Sequence, residues 1–181
     1  IVGGDFYFTY EQNKHKIFGV ADCTGHGIPG AMLTLMCMTF LDYVINHFNI
    51  IEPKEILEKV SNLISNSFKS KDHEVRDGMD VSLLSWKTGS NKLFFSGANS
   101  KILLLRDNEK NIIKGDSRPV GLWVDKENKF SQQEIKLKAN DQIFMFSDGL
   151  PDQFGGEKGK KLKYPKFYNM LEQTKDLKPK D

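Results

Sequence analysis

IVGGDFYFTYEQNKHKIFGVADC, residues 1–23, decides the architecture of this 181-residue chain. Ile1 to Tyr10 and Lys16 to Ala21 are rich in aromatic and β-branched residues, and the polar run Glu11, Gln12, Asn13, Lys14 separates them. Two such runs joined by a short polar segment predict a β-hairpin. A turn near Asn13 and Lys14 sets opposite one another residues whose numbers sum to about 27, so Asp5 falls beside Asp22 with Cβ atoms about 5 Å apart. Two carboxylates that close repel, and both stay ionised only when a cation lies between them. The competing reading is that an Asp at a strand end merely closes an Asx turn.

Beyond the hairpin the period changes. From Pro29 to about Phe48 the residues Met32, Leu35, Met36, Thr39, Phe40, Tyr43 and Val44 recur at three and four, which predicts a largely buried helix with Pro29 in its first turn. A second helix is expected from Pro53, with Ile56, Leu57, Val60, Leu63, Ile64 and Phe68 on one face. Runs at 79–86, 92–96, 101–106, 112–114, 134–137 and 142–146 then read as strands, punctuated by Thr88-Gly89, Asp107-Asn108 and Asn140-Asp141. A last helix is expected over about 165–173. A hairpin, two helices and a series of hairpin-spaced strands fit an α+β fold with antiparallel sheets and not an alternating βαβ fold. The length fits one domain covering 1–181.

Composition narrows the function classes. The net charge of +2 comes from 26 basic and 24 acidic residues that are interspersed, which argues against a nucleic-acid surface. Two cysteines, Cys23 and Cys37, do not make a disulfide framework, and no apolar run in the sequence approaches the roughly 20 residues of a membrane span. A cytoplasmic location is therefore expected, without direct membrane contact. Because the chain begins at Ile1, not Met, it is expected to be a fragment of a longer protein.

Charge interrupts the apolar strands at three places: Gly3-Gly4-Asp5, Ala21-Asp22-Cys23 and Ser147-Asp148-Gly149. Their ligand atoms are oxygens, since His15, His26, His47 and His73 are scattered, and oxygen favours Mg²⁺ or Mn²⁺ over zinc. A two-metal carboxylate site suits phosphate-ester hydrolysis by water. Cysteine chemistry does not fit, because Pro29 and Tyr43 stand where a cysteine phosphatase needs Arg after Cys23 or Cys37. Cys23 reads as a small packed residue or as a backbone-carbonyl ligand. Gly25-His26-Gly27-Ile28-Pro29-Gly30 is a literal G-x-G-x-x-G, but no strand follows the helix to bring an acidic residue to a ribose, so a tight turn is the better reading.

The ordered set GGDFY, ADCTGHGIPGAM, DGMDVSLL, FSGAN, SRPVG and SDGLPDQFGG closely resembles the stage II sporulation protein E-like phosphatases of the protein phosphatase 2C superfamily, over nearly the whole chain. The resemblance implies an α-β-β-α sandwich with a two-metal Mn²⁺ or Mg²⁺ site at one end of two antiparallel sheets. It implies hydrolysis of phosphoserine or phosphothreonine on a regulatory protein, such as an anti-sigma-factor antagonist in bacterial partner switching. By the same resemblance Asp5, Asp22 and Asp148 are metal-holding and catalytic carboxylates, Asp22 bridging, and Cys23 ligates through its carbonyl. Asp80, in the GMD segment, either joins the site or simply opens a strand. His26 reads as a turn histidine.

Family members usually carry a strand before GGD and a final strand with an Asp-Asp pair that completes the metal site, so the sandwich is expected to be truncated at both ends, Asp176 and Asp181 being poor substitutes. The lysines at 158, 160, 161, 163 and 166 form a basic stretch that either steers an acidic partner or is merely solvated. Such domains commonly sit behind sensory or membrane modules, and a homodimer is compatible with the pattern. Three functions are thereby in play: an active phosphatase, a phosphoprotein-binding domain without turnover, and nucleotide binding at Gly25 to Gly30.

Overall fold

The computed structural model describes residues 3–68, 77–121, 129–155 and 159–175. Strands β1 (Asp5–Gln12) and β2 (His15–Cys23) form the first hairpin, and helix α1 (Gly27–Asp42) follows and ends in a π-helical turn, Tyr43–His47. Helix α2 (Pro53–Ser67) precedes β3 (Met79–Lys87), β4 (Lys92–Ala98), β5 (Lys101–Arg106), β6 (Glu109–Lys114), β7 (Gln133–Lys136) and β8 (Gln142–Met145). Two-residue strands β9 (Phe154–Gly155) and β10 (Lys160–Lys161) pair with each other before helix α3 (Tyr164–Gln173).

The main sheet runs β1-β2-β3-β4-β7 and a second runs β6-β5-β8, every ladder antiparallel. Three apolar clusters give the layers. Ile17, Ala21, Val81 and Leu83 on one face of the main sheet pack with Leu33, Leu41, Ile56, Leu57 and Val60 of the first two helices. Leu84, Leu93, Phe95 and Ile135 meet Ile102 and Leu104 between the sheets. Leu103 and Leu105, the alternate residues of β5, pack on Phe167 and Tyr168 of α3. The result is helices, sheet, sheet, helix: the α-β-β-α sandwich. Among the described residues it has no βαβ unit, because the strand that follows α1 and α2 there is β3, antiparallel to β2, so the dinucleotide reading of Gly25 to Gly30 has no fold to support it.

The hairpin turn is the two-residue loop Asn13-Lys14, both at positive φ (51° and 65°), the geometry whose twist matches the strands it joins. Asp107-Asn108 repeats it between β5 and β6, at φ 52° and 63°.

Two sequence expectations need correction. The buried stripe of α1 is Gly30, Leu33, Cys37 and Leu41, continued by Val44, whereas Met32 and Leu35 are about two-thirds exposed. This helix is apolar all round, so a three-four periodicity can be traced along more than one face. Its helical run Gly27–His47, 21 residues containing an 18-residue window of mean hydropathy 1.6, is also long and apolar enough to cross a membrane, contrary to the expectation from the sequence; within this fold its inner face is core.

Candidate active site

Register builds the site. Asp5 pairs with Asp22 across β1 and β2, and Asp22 pairs with Asp80 across β2 and β3. Directly opposed residues share a face, so three carboxylates form one row across three adjacent strands. That row lies on the face away from the helices, because Ala21, Cys23, Met79 and Val81 point into the helix-side core. Asp148 follows β8 in the second sheet. With Asp22 and Asp80 it lines a cleft of about 320 Å³ between the sheet ends, together with Asn99, Lys101, Lys114 and Tyr164. Asp5 stands at the rim, where a Cβ placed on Gly149 would lie 3.6 Å from its Oδ2.

The loops are shaped to bring these groups together. Gly4 is needed because a Cβ there would meet the Cys23 carbonyl oxygen at 2.2 Å and Asp22 Oδ1 at 3.1 Å, and the Cys23 amide donates to the Gly4 carbonyl at 3.1 Å. In the Gly25 to Gly30 loop, a Cβ on Gly30 would come 2.8 Å from the Gly25 carbonyl oxygen, so these glycines serve a tight turn beneath the row. Thr24 clasps the start of β3: its amide donates to Gly78 O at 3.0 Å and its Oγ1 accepts from Gly78 N at 3.1 Å. His26 is exposed and extended (φ −141°) at the start of α1, with no capping hydrogen bond from its side chain. The Asp148 carbonyl accepts from Asp152 N at 2.8 Å, which curls the SDG turn.

Burial, then the charges of Asp5, Asp148 and Asp80, and a hydrogen bond shared with Asp148, push the Asp22 carboxyl from 3.8 up to about 6. Asp80 is also raised, by burial and by Asp148, against a hydrogen bond from Asn99 that favours its ionised form. Such repulsion is what an oxygen-liganded cation relieves. Among the described residues, no three His, Cys, Asp or Glu side chains form a cluster that could hold an ion by themselves. The acids stand as a row and not as a closed cage, so an ion there needs backbone carbonyl or water oxygens as well, as Mg²⁺ ordinarily does. The donor set fits such ions on these terms.

Cys23 is 3% exposed with its side chain in the helix-side core, hydrogen-bonded to the fully buried Cys37. That bond pulls the Cys23 thiol down, and together with burial it pushes Cys37 up. The structure thus brings Asp5, Asp22 and Asp80 into one row with Asp148 against Asp22, and leaves only the backbone of Cys23 beside them. Asp176 and Asp181 lie outside the described residues, as does Lys158. Lys101, Lys114, Asn99 and Tyr164 carry no site signal in the sequence: only Asn99 lies inside one of the family-like motifs, FSGAN, and the others reach the cleft from strand ends and the start of α3.

A family model described as stage II sporulation protein E (SpoIIE) matches residues 12–181. No curated protein matches the chain. Among solved structures, the SiaA-PP2C domain of Pseudomonas aeruginosa is 29% identical, with a TM-score of 0.83, over 96% of this chain and 67% of that one. The PP2C phosphatase domain of the cell fate determinant SpoIIE from Bacillus subtilis, with a fragment of its regulatory domain, is 17% identical, with a TM-score of 0.69, over 99% of this chain and 48% of that one. RsbX in complex with magnesium is 16% identical, with a TM-score of 0.62, over 96% and 80% of the two chains. The last two likenesses concern the fold alone. A match over nearly the whole chain, on a fold shared with PP2C phosphatase domains and with a carboxylate row at the sheet ends, shows that this chain belongs to the SpoIIE family.

Proposed function

We propose that the chain is a metal-dependent protein phosphatase that hydrolyses phosphoserine or phosphothreonine on a regulatory protein, an anti-sigma-factor antagonist being the substrate type the family suggests. The observation that carries it is the row of Asp5, Asp22 and Asp80 in register, joined by Asp148 from the second sheet through its hydrogen bond with Asp22. Asp5, Asp22 and Asp148, with the Cys23 carbonyl, would hold two Mn²⁺ or Mg²⁺ ions, and a relative bound to magnesium supports that choice. Such ions supply a water of lowered pKa and neutralise charge on phosphoryl oxygens. Asp22, central in the row, would be the residue shared between them. Asp80, half-buried beside it, keeps its proton to higher pH than an ordinary carboxylate and can accept or return one at the cleft floor. The main sheet holds three of the four acids on paired strands, so little reorganisation is required when substrate enters.

The test is hydrolysis of a phosphoserine peptide by the purified chain. Activity is expected to require Mn²⁺ or Mg²⁺, to vanish in chelator, and to fall by about 10²-fold or more in Asp22→Asn, the scale of several kcal/mol of lost charge stabilisation. Turnover that persists in chelator would sink the reading. Metal and phosphopeptide binding without turnover would favour the second reading, a phosphoprotein-binding domain.

A further inference from the structure

Lys101 opens β5 and Lys114 closes β6, and the ladder sets them directly opposite each other. Their side chains therefore leave the sheet on one face, and like charges so placed destabilise a strand pair. Lys101 Nζ lies 3.3 Å from the centroid of the Tyr164 ring at the start of α3. That contact gives Lys101 a structural use and gives Lys114 none. Neither ammonium has a carboxylate partner among the described residues. Both line the cleft shared by Asp22, Asp80 and Asp148, and among the described residues they are its only cationic lining residues. The remaining lining acid, Asp116, is occupied, accepting hydrogen bonds from the amide and hydroxyl of Ser131 at 2.8 and 3.0 Å.

The cleft thus has carboxylates that call for cations and, at its α3 side, a pair of ammoniums that calls for an anion. We propose that Lys101 and Lys114 form the subsite that binds the phosphoryl group of the substrate and, after hydrolysis, inorganic phosphate. The assignment rests on the phosphatase reading above. Burial, and after it repulsion from Lys114, lowers the pKa of Lys101. A phosphate monoester dianion is the chemistry that relieves that repulsion. Tyr164, its ring beneath Lys101 and its hydroxyl within the field of Asp148, fixes where that ammonium stands.

The experiment uses the Mn²⁺-loaded chain and Lys114→Met, Lys101→Met and double variants, with thermal melting as the check on folding. Lys114 is exposed at a strand end, so Lys114→Met serves even if loss of the Lys101 contact with Tyr164 unfolds the other two. Inorganic phosphate binding is measured by calorimetry, apart from turnover, and kcat and KM are measured on a phosphoserine peptide. Each single variant is expected to weaken phosphate binding and raise KM by about tenfold, with kcat within about threefold, Mn²⁺ affinity unchanged and partial rescue in Lys114→Arg. Phosphate binding and KM equal to those of the unaltered chain in folded Lys114→Met would overturn the subsite. A chain that turns over no peptide yet binds phosphate in a lysine-dependent way would retire the enzymatic reading and support the subsite. One that turns over peptide while all variants bind phosphate equally would do the reverse.

Discussion

Asp22 is where stability and chemistry pull in opposite directions. Its carboxyl titrates at about 6 in the folded chain against 3.8 for the unperturbed group, so the folded state binds the extra proton between those values. A raised carboxyl pKa contributes stability that is complete below about pH 4 and is lost as the pH climbs through 6. Asp22 is only half-buried, so the full shift overstates the effect, and about 1 kcal/mol is a fair figure after screening. The metal-free Asp22→Asn variant is therefore expected to be more stable than the parent by about 1 kcal/mol at pH 7.5 and equal to it at pH 4, as read by urea unfolding. Equal stability at both values would show that the row does not repel as the geometry requires. Metal ions reverse the sign, because they bind the ionised form: Mn²⁺ is expected to raise the melting temperature of the parent at pH 7.5 and much less at pH 5, and not to do so in Asp22→Asn.

Elements differ in how plainly they show in a sequence. The β1-β2 hairpin is legible because a two-residue turn of Asn and Lys admits one register, and that register puts Asp5 against Asp22. Helix α2 is legible because it is amphipathic: Ile56, Leu57, Val60 and Ile64 are buried and Lys54, Glu58 and Asn62 are not. Helix α1 is not, since an all-apolar surface leaves tertiary packing to choose the face. The cleft lysines are illegible for another reason: they become neighbours only through the β5-β6 pairing and the approach of α3. Two substitutions test the face of α1. Leu41→Ala, in the fully buried stripe, is expected to cost about 2–5 kcal/mol, while Leu35→Gln on the exposed stripe should stay within about 0.5 kcal/mol. A larger penalty at Leu35 would mean that the outer face is covered.

At the scale of the whole molecule, the layers divide the work. The helix-side core holds the backs of β2 and β3, the sheet-to-sheet core sets the spacing of the two sheets, and α3 carries Tyr164 to the rim. At the far end of the second sheet, Arg106 grips Asp141 through Nε and Nη2 at 2.8 and 2.6 Å and also reaches the Lys136 carbonyl, tying β5 to the entrance of β8. The acids come from both sheets, so the cleft is a property of how the sheets stack and not of any one motif.

Cys23 and Cys37 are the only thiols in the chain, and they are sealed together between β2 and α1. An alkylating reagent reaches them only when that seam parts, so the rate at which the thiols are modified is a clock for local opening of the strand that carries Asp22. Ions held through Asp22 and the Cys23 carbonyl would slow that clock. Mass-spectrometric labelling is expected to run at least tenfold slower with saturating Mn²⁺ than in chelator, and equal rates would separate metal binding from the backbone of Cys23.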